Sequence, residues 1–136
     1  MKSNRITTDQ LGSVVSEILD DYAEDVADVV TNEITKAAKL AQTQIRNTAP
    51  KDRGNYARSW SYKNIEGKSR LSKFFIQGKV VYAKSPHYRL AHLLENGHAL
   101  RQGGRTRAFP HIAPAEERAE DYLMMTLPTK IAEVEV

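Results

Sequence analysis

Three residues spaced three apart, His92, Glu95 and His98, are the part of this sequence whose types could do chemistry together. Imidazole nitrogens and a carboxylate at short spacing are what a divalent metal takes as ligands. The order is not the His-Glu-x-x-His pattern, in which two histidines one helical turn apart meet a single ion. Asn96-Gly97 also falls between Glu95 and His98 and should end any helix there. Glu95 is therefore expected to accept hydrogen bonds from a loop amide or an arginine, and no metal or cofactor is expected. Ser59, Ser61, Ser69, Ser72 and Ser85 supply hydroxyls, but none lies in a Gly-x-Ser-x-Gly turn. Asp52 is the one aspartate between Asp28 and Asp121, so a serine-histidine-acid triad is not supported and no catalytic residue is assigned. "RQGGRTR", residues 101–107, lacks the spacing of a nucleotide-binding glycine loop. Arg101, Arg105 and Arg107 around Gly103 and Gly104 read instead as a flexible basic loop that meets DNA phosphates or an acidic protein surface.

The elements that must carry these residues follow from periodicity. From Thr8 to about Asn47 there is no proline, and apolar residues recur at steps of three and four from Leu11 through Val26 to Ile45. That pattern predicts one long amphipathic helix capped near Thr8 or Asp9. Its length exceeds what the core of a 136-residue chain covers. Either it breaks near the Val26–Thr31 cluster, or a neighbouring subunit buries part of it. Pro50 and Gly54 end it and turn the chain. Strands are expected over about 56–65 and 72–83, a short helix over 88–95 with Leu90, Leu93 and Leu94 inward, and Gly97 as a left-handed stop. Residues 98–108 form a loop, and Phe109–Pro114 is extended because Pro110 and Pro114 disfavour helix before them. A second helix runs from Ala115 to about Met125, followed after Pro128 by a short helix or strand. Tyr56, Trp60, Tyr62, Phe74, Phe75, Tyr82 and Tyr88 could form a base-stacking sheet, but the core and rim of a small sheet explain them better. The fold class is α+β, in one domain over 1–136: a long helix over 1–48, then sheet, short helix and basic loop over 49–113, then a C-terminal helix and tail over 114–136.

Charge is segregated along the chain. Residues 1–50 carry −3, residues 51–113 carry +10, and residues 114–136 carry −4. A basic middle between acidic ends either pairs with those ends, within one molecule or between copies, or faces nucleic acid. With 40% apolar residues the core is slim or completed by a partner. No apolar run is long enough for a membrane span, no secretory leader is expected, and the absence of cysteine removes disulfides and thiolate metal sites.

Ala49, Pro50, Gly54, Ser59, Tyr82, Ala83, Leu94, Glu95, Gly97, His98, Pro110, His111, Ile112, Pro114 and Ala115 form an ordered set of short motifs over about residues 8–125. That set closely resembles the tail-component family of long-tailed bacteriophages, whose members act at the head–tail joint. Arg53 and Tyr56 depart from the family's pattern, since a small polar residue and leucine are usual there. The resemblance implies a non-enzymatic virion protein that completes the tail and joins it to the DNA-filled head at the neck. The implied assembly is a homo-oligomeric, hexameric ring, formed in the host cytoplasm and held in the virion by other neck and tail proteins such as the connector or stopper, the tail terminator and the tail tube. The arginine loop would then face a neighbouring subunit or, without sequence preference, the packaged DNA. A tail terminator or neck stopper is the alternative in the same class, and a basic nucleic-acid-binding module is the alternative outside it.

Overall fold

A computed structural model of the protein describes residues 8–51, 54–65, 69–71 and 74–135. The architecture is α+β. Helix α1 (Thr8–Thr48) is followed by a short helix α2 (Asn55–Ser59), strands β1 (Trp60–Asn64), β2 (Ser69–Leu71), β3 (Phe74–Ile76) and β4 (Lys79–Ala83), a 3₁₀ turn (His87–Leu90), helix α3 (Ala91–Asn96) and helix α4 (Ile112–Ala132).

The long helix does not break. Its 41 residues rise about 60 Å. Val26 and Ala27 lie on its buried face, so packing holds the segment whose β-branched residues weaken helix propensity. Burial follows the apolar stripe through Ala23, Val26, Ala27, Ala37, Ala38, Ala41 and Ile45. Most of these are alanines, and small side chains let α4 lie close along α1, with Ala115 fully buried between them. Pro50 ends the helix by holding Ala49 out of helical backbone.

The strands make one interrupted antiparallel hairpin. β1 pairs with β4 from Trp60↔Ala83 to Asn64↔Lys79, and β2 pairs with β3 from Ser69↔Ile76 to Leu71↔Phe74. Four residues separate β1 from β2 but two separate β3 from β4, so the ladder cannot run through. At the interruption Ile65 N–H donates to Gly78 O, and the Gln77 amide donates to Ile65 O and Gly78 O.

Five expectations need correction. Residues 55–59 are helical, because turning there buries Tyr56, Ala57 and Ser59 against α1, and the Ser59 hydroxyl bonds Tyr56 O at 2.5 Å. Leu90 is exposed and Leu93 and Leu94 are half-buried, since the short helix begins as a 3₁₀ turn. The extended segment is shorter than Phe109–Pro114, with α4 starting at Ile112. Pro128 lies inside α4, five residues before its C-cap Glu133. The expected second strand is split at residues 77–78, and the part of it at 72–73 lies outside the described residues.

Candidate functional site

The densest polar arrangement is built where α3, the segment before α4, and α2 converge. α4 begins without a side-chain cap of its own, so its first amides need partners. Glu95, near the end of α3, supplies them. Its Oε1 accepts the amides of His111 at 2.7 Å and Ile112 at 2.8 Å, and its Oε2 accepts that of Ala113 at 3.0 Å. Pro114 comes next and has no N–H to satisfy. One carboxylate plus one proline thus accounts for the N-cap His111 and the first three residues of α4. Burial pushes the Glu95 carboxyl up, but the three backbone donors and the nearby His111 ring outweigh it and hold the group below its ordinary value.

His111 is fully buried, and both ring nitrogens are used. Nδ1 lies 2.6 Å from Phe109 O and 3.0 Å from Glu95 Oε1. Both neighbours are acceptors, so Nδ1 carries the hydrogen. In the neutral ring Nε2 then accepts from the Tyr56 hydroxyl at 2.6 Å. Tyr56, His111 and Trp60 stand edge to face in pairs, with ring centroids 5.5–6.4 Å apart. Burial, aided by the Glu95 charge, pushes the Tyr56 phenol up, so it stays a donor. The Trp60 indole N–H is buried with no hydrogen-bond partner among the described residues. Its carbonyl accepts from Gln42 at 3.0 Å and from Arg46 at 2.6 and 2.9 Å, which ties β1 to the last turns of α1.

The arginine segment closes as a small hairpin rather than running loose. Ala99 and Arg105 form a bridge, Leu100 N–H donates to Gly104 O at 3.0 Å, and Gly103 N–H donates to Leu100 O at 3.2 Å. Gly103 (φ 95°) and Gly104 (φ 79°) make this possible because the turn requires two successive positive φ angles. The hairpin is anchored at its base by Thr106, which bonds His98 through its amide at 2.8 Å and through its hydroxyl. Gly97 (φ 70°, ψ 173°) is buried beneath it, and a β-carbon there would stand 2.5 Å from Thr106 O.

The sequence-assigned residues therefore fall into three groups. Glu95, Gly97, His98, Pro110 and Pro114 lie in or beside the joint between α3 and α4. Arg101 and Arg107 point outward, the latter over the Phe109 ring at 5.2 Å, while Arg105 reaches Gly97 O at 3.4 Å. Pro50 and Gly54 lie apart from both, around α2, and line a pocket with Tyr56, His87, Leu90 and Leu94. His92, Glu95 and His98 do not converge. Glu95 faces α4, His98 faces Thr106, and among the described residues no group of three His, Cys, Asp or Glu side chains is placed to hold an ion. Sequence reasoning missed the pairing of Tyr56 with His111 and of Glu33 with Tyr122, because 55 and 89 residues separate the partners and no spacing signals them. A groove of about 300 Å³ between α1, β4 and α4 is lined mainly by apolar residues, including Ile34, Val81, Ile112 and Leu123. Among the described residues no helix is long and apolar enough to cross a membrane.

A sequence model of one family, described as "Bacteriophage HK97-gp10, putative tail-component", matches residues 9–97. No curated protein and no solved structure matches the chain. The match takes in α1 from its second residue, the hairpin strands and α3, and ends two residues after Glu95, the carboxylate that caps α4. The chain belongs to this HK97-gp10-like family of phage tail components.

Proposed function

We propose that this protein completes the phage tail and joins it to the DNA-filled head at the neck, as a ring of identical copies with no enzymatic role. The single observation that carries this reading is the free end of α1. Burial on that helix begins at Ala23, and the turns before it carry Leu11, Val15, Ile18 and Leu19 between 43 and 59% exposed. A helix that leaves such a stripe in water is built to be covered by another chain. The polar cluster supports the same reading. Glu95 spends its oxygens on three amides and His111 spends both nitrogens on neighbours, so the groups best suited to chemistry are consumed in holding α3, α4 and α2 together. The single domain, with its arginine hairpin as a contact surface for anionic groups, is the unit that would repeat around the ring.

The test is a phage carrying an amber codon in this gene. Separate full heads and separate tails are expected, with joining restored by added protein, and density for the chain at the neck of wild-type virions. Complete infectious particles from the mutant would refute the joining role. Density in the last ring of the tail tube, or directly beneath the connector, would assign the protein as tail terminator or stopper instead. A free nucleic-acid module would shift DNA as an isolated monomer, with affinity falling steeply as salt rises.

A further inference from the structure

The two ends of α1 carry surfaces of opposite charge, each with exposed apolar side chains. At the N-terminal end no residue from Gln10 to Tyr22 is buried. Leu11, Val15 and Ile18 recur at steps of four and three and share a face with Leu19. Residues 10–28 around this stripe include Glu17, Asp20, Asp21, Glu24, Asp25 and Asp28 and no lysine or arginine.

At the other end, Ile45 and Ala49 of α1 belong to one cluster with Tyr56, Ala91 and Leu94, so the 3₁₀ turn, α3 and the arginine hairpin sit there. Lys84, Arg89, Arg101, Arg105 and Arg107 are all exposed at this end. The one acid between Lys84 and Phe109 is Glu95, whose carboxylate already serves α4. Tyr88, Leu90, Leu100 and Phe109 are 40–52% exposed among these cations. The hairpin and α3 are held as one surface by Phe109 N–H donating to Leu94 O at 2.8 Å.

These surfaces complement each other in charge and both offer apolar side chains. An unbroken helix about 60 Å long keeps them apart, so they cannot meet within one chain. Two arms laid side by side would place six acids against six, which disfavours arm-to-arm pairing. We infer that the occupant of the basic end is a second copy of this chain. The first turns of α1 from one copy dock on the 3₁₀ turn, α3 and hairpin of the next. Such a contact is heterologous, uses a different surface on each partner, and repeats head to tail until it closes. It rests on the multi-copy reading above and names the surfaces that would build the ring.

Two defective variants test it, with mass measured by light scattering at high protein concentration. The arm variant is Val15→Asp/Ile18→Asp and the basic-end variant is Arg89→Glu/Arg101→Glu/Arg107→Glu. The wild-type chain is expected to form multi-copy species. Each variant alone should be monomeric, and an equimolar mixture should give a heterodimer that grows no further, since it holds one intact arm and one intact basic end. Raising salt from about 0.1 to 1 M, which shortens the screening length from about 10 to 3 Å, should weaken the heterodimer. If the wild type assembles but either variant assembles equally well, the arm contact is wrong while the multi-copy reading survives. A wild-type chain that stays monomeric overturns both. If circular dichroism shows that the arm variant has lost helix, Asp21→Lys/Glu24→Lys replaces it, with the same outcomes deciding.

Discussion

Glu95 Oε1 accepts the backbone N–H of His111 at 2.7 Å and lies 3.0 Å from the Nδ1 of the same residue. A side chain on one short helix thereby fixes both the first backbone turn of another helix and the tautomer of a buried imidazole. Charged acceptors at a helix N-terminus gain from the amides and from the dipole together. Glu95→Gln should lower the unfolding free energy by about 1–2 kcal/mol, with α4 still formed, read from urea denaturation at pH 7. The pH dependence has a fixed sign. Because the folded carboxyl is held below its unfolded value, its contribution is present above about pH 4.5 and is lost as pH falls further. The variant should therefore lose part of the acid-side slope of stability. An unchanged slope would remove Glu95 as the cap.

Tyr56 closes the same arrangement from α2. Its hydroxyl is the donor that satisfies His111 Nε2, and the ring nitrogen is fully buried. Tyr56→Phe keeps the ring and leaves an orphaned acceptor, at a cost of about 1–3 kcal/mol. Since burial raises the phenol in the folded chain, it contributes stability below pH 10 that is lost as pH rises through the folded value. Spectrophotometric titration should show two late-ionising tyrosines, since the Glu33 carboxylate likewise pushes the Tyr122 phenol up, and Tyr56→Phe should remove one of them.

Periodicity carried more of the fold than of the site. α1 was legible because the apolar stripe from Ala23 to Ile45 obeys one rule over many turns. α2 was not, because Asn-Tyr-Ala-Arg-Ser has no periodicity at five residues and its helix is decided by what Tyr56 and Ala57 bury. The start of α4 was misplaced for a related reason. Prolines at 110 and 114 argue for extended chain locally, but Glu95 satisfies the amides of 111–113 from 16 to 18 residues away. Pro128 misled in the same direction at the other end of the helix. It deprives residue 124 of a helical partner, but Met124 is exposed, so water can take its carbonyl and the helix continues to Ala132. At Glu95 itself the sequence suggested a hydrogen-bonded carboxylate but could not say which amides it meets.

Glu33 shows a second carboxylate of this kind, between α1 and α4. It is buried, the Tyr122 hydroxyl donates to its Oε2 at 2.5 Å, and Lys36 donates to Oε1 at 3.2 Å. The Tyr122 bond, helped by Lys36, holds its carboxyl below the ordinary value despite burial. Tyr122→Phe should cost about 1–2 kcal/mol and should reduce the loss of stability below about pH 4.5. Since Glu33 and Glu95 share no partner, the double variant Tyr122→Phe/Glu95→Gln should show additive effects within about 0.5 kcal/mol. A large coupling between them would show that α4 responds as one unit to both of its anchors.

Gly97 offers the sharpest steric prediction. At φ 70°, ψ 173° its backbone lies where residues with a side chain are strained, and a β-carbon would meet Thr106 O at 2.5 Å. The obstacle is backbone, pinned by Thr106 N–H bonding His98 O at 2.8 Å, so it cannot swing aside as a side chain would. Gly97→Ala should therefore cost about 2–4 kcal/mol by adding clash to strain. Gly104→Ala meets the same demand for positive φ but has open space around it, so strain alone remains, at about 1 kcal/mol. Urea denaturation of the two variants separates the contributions. Equal losses would mean that the hairpin base shifts to admit the methyl group, and that the Thr106–His98 anchor is softer than its hydrogen bonds imply.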